Sequence, residues 1–251
     1  METKDNITRR DALKKMGMIA ASAAIATSGV EALAACTPTA KTTKDMTVLL
    51  INGSPRPNGN TATLLREVAA QLEKNGIGSE IVNIGAKAIH GCSACGSCHQ
   101  NAEHHCVFDD DICNQLIDAM KQSDAVIVGS PVYYGQPNGA VLSLLQRLAY
   151  AGGAYMQGKP AAGVAVCRRG GASAAFQTLQ MPFQMLNMPI VTSQYWNIAY
   201  GSAPGQVSQD AEGLQTMRTL ADNMAYMLKQ FATGSAVFPK REPGQFTNFI
   251  R

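Results

Sequence analysis

The sequence has few charged residues and no strong excess of either sign. Charged side chains make up 16% of the 251 residues, and 21 Lys and Arg face 18 Asp and Glu, which leaves a formal net charge of +3. Proteins that bind nucleic acids through phosphate contacts carry a much denser basic balance. The composition therefore gives no support to nucleic-acid binding.

Signatures of several other protein classes are also missing. The 7 Cys are too few for a disulfide-knotted miniprotein, the 23 Gly follow no collagen repeat, and 46% hydrophobic residues exclude a disordered chain. We find no internal repeat, no second domain, and no Ser, His and Asp set in loop positions that would suit hydrolysis. One compact α/β domain, in which small residues let helices pack closely on a sheet, is the expected architecture.

Residues 1–35 have the composition of an export signal. Arg9 and Arg10 precede an Ala-rich run over residues 16–30, which is too short and too weakly hydrophobic for a stable transmembrane helix. The paired arginines resemble the bacterial twin-arginine signal, which exports folded proteins. Cys36 follows a Leu-Ala-Ala sequence that resembles a lipobox, so lipid attachment at Cys36 is predicted. The alternative is ordinary cleavage near Ala34 with an incidental Cys36.

Four segments are expected on these grounds. They are a signal peptide over 1–35, a tether over 36–45, a folded domain over 46–231 and a C-terminal arm over 232–251. The predicted location is periplasmic, with a lipid anchor on a membrane.

Short apolar runs alternate with helical patterns through the folded domain. Strands are predicted at 46–52, 80–84, 125–129, 161–166 and 189–193. Helices are predicted at 61–74, 111–121, 139–150, 172–186 and 211–231. This alternation predicts a doubly wound, five-stranded parallel sheet in the order 2-1-3-4-5. Ligands of such sheets lie beyond the carboxyl ends of the strands, so the loops after the first, third and fourth strands are the informative ones.

The loop over residues 53–61 has the composition of a phosphate site. It offers hydroxyls, an Arg and backbone N–H groups at the start of a helix, where the helix dipole favours an anion. It lacks both the Gly-x-Gly-x-x-Gly spacing of dinucleotide folds and the Gly-Lys-Ser/Thr of a P-loop. A terminal monophosphate is therefore the better fit, although the same residues also serve as ordinary turn and capping residues.

The loop over residues 129–137 supplies aromatic side chains and backbone amides that can flank a flat, partly polar ring. The two loops together resemble flavodoxin-like flavoproteins of the NADPH-dependent FMN reductase type. The resemblance runs from about Thr47 to Leu228. It rests on Gly53-Ser54-Pro55-Arg56, Gly59-Asn60-Thr61 and Ser130-Pro131-Val132-Tyr133.

The resemblance implies a flavodoxin-like fold and bound FMN. In that family the first loop holds the FMN phosphate and the second lies along the isoalloxazine ring, while the loop after the fourth strand also contacts the flavin. A cation or N–H group there can stabilise the anionic reduced flavin. The predicted cofactor-binding residues are Ser54, Arg56, Asn58, Asn60, Thr61, Pro131, Val132, Tyr133, Tyr134, Gly135, Arg168, Arg169 and Gly170.

Four cysteines follow the second predicted strand at the spacing C-x2-C-x2-C-x7-C: Cys92, Cys95, Cys98 and Cys106. Thiolates at this spacing can surround one metal centre. The pattern resembles the compact motif of the iron–sulfur flavoproteins, where a 4Fe-4S cluster lies near FMN. It differs from ordinary ferredoxins, because the last gap is longer and Val follows the fourth Cys.

Two other interpretations of these cysteines stay open at the level of sequence. Zinc could be bound with help from His99, His104 or His105. An oxidising compartment would also permit disulfides. Cys113 and Cys167 are interpreted as small buried residues.

The predicted function is that of an exported FMN-dependent oxidoreductase, with the flavin carrying the chemistry. The family name implies NADPH as the electron donor, whereas the predicted location favours a membrane quinol or a redox protein. A homo-oligomer is expected. The alternatives are a flavin electron carrier without its own substrate, and a flavin-free lipoprotein of the same fold.

Overall fold

A computed structural model describes residues 45–234 and 238–239. The predicted signal peptide, the lipidation residue Cys36 and nearly all of the predicted tether lie outside the described residues, as does most of the predicted C-terminal arm. None of the described helices combines the length and the apolar character that crossing a bilayer requires.

Within residues 45–234, six strands form the sheet, in the order β2-β1-β3-β5-β6, with β4 added beside β3. Their bounds are β1 Thr47–Asn52, β2 Gly78–Asn83, β3 Ala125–Tyr133, β4 Gln136–Pro137, β5 Ala161–Cys167 and β6 Ile198–Tyr200. The pairs along the main order are all parallel, and only β4 is antiparallel to β3. The α/β flavodoxin-like architecture is thus confirmed, but the count of five strands is corrected to six by the two-residue β4.

The last strand is not where the apolar pattern predicted it. Residues 189–193 contribute only an isolated bridge between Ile190 and Ala161. The strand itself is β6, which pairs with the end of β5. The third strand is also longer than predicted, because β3 continues through Pro131, opposite Val166, into a hairpin with β4.

Among the residues that the structure describes, five helices cover the two faces of the sheet. Their bounds are α1 Asn60–Lys74, α2 Cys113–Gln122, α3 Gly139–Met156, α4 Ala172–Met185 and α5 Ala211–Thr233. Alternate residues of β1 face opposite sides: Val48 and Leu50 join the apolar core under α1 and α5, whereas Leu49 and Ile51 join the core under α2 and α3. A strand buried on both faces has the continuous apolar sequence observed here.

The direction of strand addition reverses at β1, since β2 lies on one side of it and β3 on the other. The loops that leave the carboxyl ends of β1 and β3 therefore diverge to opposite faces of the sheet. This divergence opens a crevice, which is where doubly wound folds bind their ligands.

Candidate functional site

A cleft lies at this reversal point, where doubly wound folds bind small molecules and cofactors. Its walls come from the loops after β1, β5 and β6 and from the carboxyl ends of β3 and β5. The lining residues are Ser54, Arg56, Gly59, Asn60, Thr61, Pro131, Val132, Tyr133, Val166, Cys167, Arg168, Gly201, Ser202 and Pro204.

The first wall is the start of α1. Gly59 precedes the helix and has no side chain to cap it, and the first turn contains no acidic residue. The backbone N–H groups of a first helical turn lack intrahelical partners, so they remain available to an anion. Thr61 is 2% exposed, lines the cleft, and makes no side-chain hydrogen bond within the described chain. Arg56 extends from the same loop and takes part in none of the described ion pairs.

Two asparagines fix the shape of this loop. The buried Asn52 donates from Nδ2 to Asn83 Oδ1 at 2.7 Å, and its Oδ1 accepts from the Ser54 amide at 3.1 Å. Asn60 donates from Nδ2 to Ala203 O at 3.0 Å and accepts from Val207 N at 3.3 Å. Asn60 thus joins the loop after β1 to the loop after β6, so its amide positions the two walls.

Close backbone contact joins the loop after β1 to strand β3. The Gly53 amide donates to Gly129 O at 2.7 Å, and a Cβ on Gly53 would lie 2.7 Å from the same oxygen. Asn138, 8% exposed, donates to Gly53 O at 2.8 Å and accepts from Ala140 N at 3.1 Å, which caps α3. Glycine is required at position 53 because no side chain fits between this loop and the neighbouring β3 backbone and Val141 side chain.

The second wall is the β3–β4 hairpin. Its turn places Tyr134 at φ 51° and Gly135 at φ 79°, the left-handed pair typical of a tight two-residue hairpin turn. Tyr133 is 43% exposed and lies on the cleft, whereas Tyr134 is fully exposed at the tip and does not line it.

The third wall is the loop after β5, which touches the hairpin. Gly171 has φ 84°, and a Cβ there would lie 2.7 Å from Gly135 Cα. Arg168 lines the cleft, while Arg169 and Gly170 are exposed beside it. Cys167 is 4% exposed, and burial raises the pKa of its thiol, so the neutral form is favoured.

The structure brings eight of the thirteen predicted flavin residues together on the cleft: Ser54, Arg56, Asn60, Thr61, Pro131, Val132, Tyr133 and Arg168. It does not bring Asn58, Tyr134, Gly135, Arg169 and Gly170 to the lining, and Asn58 instead accepts a hydrogen bond from Arg66 at 2.6 Å. Sequence reasoning missed Gly201, Ser202 and Pro204. These residues follow β6, the strand that the apolar pattern had predicted at 189–193 instead of Ile198–Tyr200.

The four cysteines lie in the long segment between β2 and α2 and line a second, much smaller cavity. Cys92 and Cys95 are exposed, Cys106 is partly buried and Cys98 is 6% exposed. This cavity shares no lining residue with the cleft. A hydrogen bond from the Ser97 side chain lowers the pKa of Cys95, whereas burial raises the pKa of Cys98.

The cysteine segment has little regular secondary structure, and asparagine side chains order its backbone instead. Asn101 accepts from His105 N at 2.8 Å and donates to Ser97 O at 3.1 Å. Asn114 accepts from Cys106 N at 2.7 Å and donates to Cys106 O at 3.0 Å. The segment is therefore ordered around the cysteines by bonds to backbone groups that neither helix nor sheet satisfies.

The potential metal ligands around the four-cysteine cavity are sulfur atoms. All six described cysteines are free thiols. Within the described residues, no three His, Cys, Asp or Glu side chains converge closely enough to hold a single metal ion. The His residues nearby engage aromatic rings or a carboxylate instead: His99 contacts Tyr150, His104 contacts Tyr155, and His105 Nε2 lies 2.9 Å from Asp118.

Comparison with known families gives one match over most of the domain. The family described as NADPH-dependent FMN reductase matches residues 46–203. An iron–sulfur flavoprotein of Methanocaldococcus jannaschii is 33% identical over 192 residues, covering 73% of this chain and 98% of that protein. An iron–sulfur flavoprotein of Archaeoglobus fulgidus is 30% identical over 162 residues, covering 60% of this chain and 78% of that protein.

Solved structures agree on the fold. The flavodoxin, WrbA-like protein of Agrobacterium tumefaciens superposes with a TM-score of 0.51 at 18% identity, over 74% of this chain and 98% of that one. At this identity the likeness concerns the architecture alone.

Proposed function

Since the chain belongs to the NADPH-dependent FMN reductase family, we propose that it is an FMN-dependent oxidoreductase in which the four cysteines hold an iron–sulfur centre. The observation that carries the proposal is the juxtaposition, at the strand-order reversal, of an uncapped helix start with a slot between two other loops. The first feature suits a phosphate and the second suits a flat ring.

The residues of the first wall fit the FMN phosphate. The first-turn amides of α1, the Thr61 hydroxyl and the Arg56 guanidinium offer donors to one anion. Arg56 is exposed, so its contribution is that of a partly screened charge-assisted hydrogen bond, about 1.5 kcal/mol.

The other two walls fit the isoalloxazine ring. Val132 and Tyr133 offer apolar and aromatic surface on one side, and Arg168 brings a positive charge from the other loop. When bound, FMN supplies one- and two-electron transfer. The chain orients the ring, limits the access of water, and holds a cation near any negative charge that reduction adds.

The iron–sulfur proposal rests on the donor set and on the relatives. Four thiols line one cavity. Four cysteine thiolates are the ligand set of a 4Fe-4S cluster, in which each thiolate binds a different iron. Three relatives at 30% identity or more are named iron–sulfur flavoproteins.

Removal of the Arg56 guanidinium tests the FMN site. Arg56→Ala should weaken FMN binding about tenfold, since about 1.4 kcal/mol corresponds to a factor of ten in Kd. It should leave riboflavin binding unchanged, because riboflavin has no phosphate. Fluorescence titration of the apo-protein measures both constants, and Arg218→Ala, which removes an Arg that does not line the cleft, is the matched control. If the affinities for FMN and riboflavin fall equally, or if neither affinity changes, the phosphate assignment is contradicted.

The electron donor and the location extend this proposal. We propose an exported, lipid-anchored homo-oligomer that receives electrons from a quinol or a redox protein, because a periplasmic protein meets little NADPH. Cys36→Ser should release the protein from the membrane fraction; retention of this variant would refute the anchor.

Catalytic turnover with a quinone separates an oxidoreductase from an electron carrier without its own substrate. Flavin absorbance of the purified protein excludes the flavin-free alternative.

A further inference from the structure

A charged side chain lies almost completely buried beneath the cysteine segment. Arg147 of α3 is 1% exposed, and its guanidinium uses all three nitrogens. Nη1 donates to the equally buried carboxylate of Asp111, and Nη2 donates to Phe108 O at 2.7 Å. A charge is costly to bury unless it is paired and hydrogen-bonded, and Arg147 meets both conditions.

The contacts of Arg147 fall on both ends of the segment that carries the cysteines. Nη1 also reaches His90 O at 3.5 Å, two residues before the first cysteine. Phe108 and Asp111 lie two and five residues after the last one. The guanidinium therefore closes residues 90–111 into a loop from beneath, and the four sulfurs lie within that loop.

The remaining nitrogen bonds directly to a predicted ligand. Arg147 Nε donates to Cys106 Sγ at 3.2 Å, and Arg147 itself lines the four-cysteine cavity. Hydrogen bonds to the sulfurs and nearby charge are two of the means by which a protein sets the reduction potential of an iron–sulfur cluster. A positive donor on a ligand sulfur stabilises the reduced, more negative state over the oxidised one.

Stability alone gives weak grounds for such an arrangement. Replacing a buried ion pair by apolar residues of similar volume is often neutral or stabilising. The pair of Arg147 and Asp111 does, however, leave one N–H for a sulfur that would otherwise lie against apolar surface.

We infer that Arg147 is the positioning residue of the four-cysteine centre, closing the loop that presents the sulfurs and raising the reduction potential of the cluster through its N–H to Cys106. This inference rests on the proposed iron–sulfur centre. It assigns the residue no contact with substrate.

The test compares the wild-type protein with the double variant Arg147→Gln with Asp111→Asn. The double variant removes the guanidinium without leaving a buried unpaired charge. Both proteins are prepared without oxygen, analysed for FMN, iron and acid-labile sulfide, and titrated with dithionite while the cluster is followed by electron paramagnetic resonance. The double variant should have the more negative cluster potential, with FMN content unchanged. Equal potentials would overturn the inference.

Loss of the cluster from the double variant would also test the inference. Removing an outer-shell partner of a metal ligand weakens metal binding about ten- to a hundredfold, so the double variant can lose iron while keeping FMN. The single variant Arg147→Lys retains the positive charge, so it should bind iron where the double variant does not. If Arg147→Lys also lacks iron, the inference fails.

Asn114→Ala loosens the backbone of Cys106 but spares the contact to its sulfur. It should leave the potential of the remaining clusters unchanged, and a shift as large as that of the double variant would contradict a role for the guanidinium.

The wild-type protein distinguishes the two levels of the argument. If it contains FMN but neither iron nor sulfide, the proposed iron–sulfur centre fails and the role of Arg147 fails with it. If it contains a cluster whose potential does not depend on Arg147, only the role of Arg147 is refuted.

Discussion

A single methyl group at Gly171 should separate the two walls that form the ring slot. In Gly171→Ala the new Cβ would lie 2.7 Å from Gly135 Cα and 3.2 Å from Val132 Cγ1, and the residue would keep φ near 84°. The left-handed conformation costs an Ala about 1–2 kcal/mol, and overpacking against backbone costs about 1–3 kcal/mol more. We therefore expect the free energy of unfolding to fall by about 2–5 kcal/mol.

The neighbouring glycine is a matched control. A Cβ at Gly170 would meet no atom within 4 Å, and its backbone is not left-handed. Gly170→Ala should therefore change the free energy of unfolding by less than about 0.5 kcal/mol. Urea denaturation of the apo-proteins measures both values.

The ligand response identifies which part of the cleft has moved. Because the β3–β4 hairpin and the loop after β5 flank the proposed ring position, Gly171→Ala should weaken FMN and riboflavin binding alike, unlike Arg56→Ala. Two results would refute the reasoning: a Gly171→Ala protein as stable as Gly170→Ala, or a loss of affinity confined to FMN.

Three further outcomes follow from buried groups. Burial raises the pKa of Cys113 to about 12. The unfolded thiol loses its proton near pH 9 while the folded one keeps it, so wild-type stability should fall by about 1 kcal/mol more than that of Cys113→Ala between pH 8 and pH 10 in urea titrations. Cys98→Ser should abolish iron and sulfide, as measured by chemical analysis, whereas Cys113→Ser should retain both; loss in both variants would point to misfolding. Asn138→Ala should lower the free energy of unfolding by about 2 kcal/mol in urea, because it removes a helix cap and leaves Gly53 O unpaired; an unchanged value would contradict the importance of this contact.

The sequence predicted most of the sheet because β1, β3 and β5 are buried on both faces and therefore carry unbroken apolar runs. The same signal failed at β6. That strand has only three residues and ends at the half-exposed Tyr200, while residues 189–193 make a single bridge. A short edge strand buries too little surface to leave a clear pattern. The residues after it, Gly201 and Ser202, were missed on the cleft for the same reason.

Local chemistry was predicted better than partners distant in sequence. The carboxylate of Asp111 makes a local hydrogen bond just before α2, accepting from Cys113 N at 3.0 Å. Its second role, pairing with Arg147 at a separation of 36 residues, depends on how α3 packs beneath the cysteine segment. No spacing rule in the sequence connects these two positions. The N-terminal signal and its lipid anchor stay predictions.

The central claim is that one chain holds FMN and an iron–sulfur centre together. The most direct test is the content of FMN, iron and acid-labile sulfide in protein purified without oxygen. The account predicts one FMN with four iron and four sulfide per chain, as a 4Fe-4S cluster requires. FMN without iron or sulfide, with Cys92, Cys95, Cys98 and Cys106 oxidised in pairs, would contradict the cluster, and protein without FMN would contradict the account as a whole.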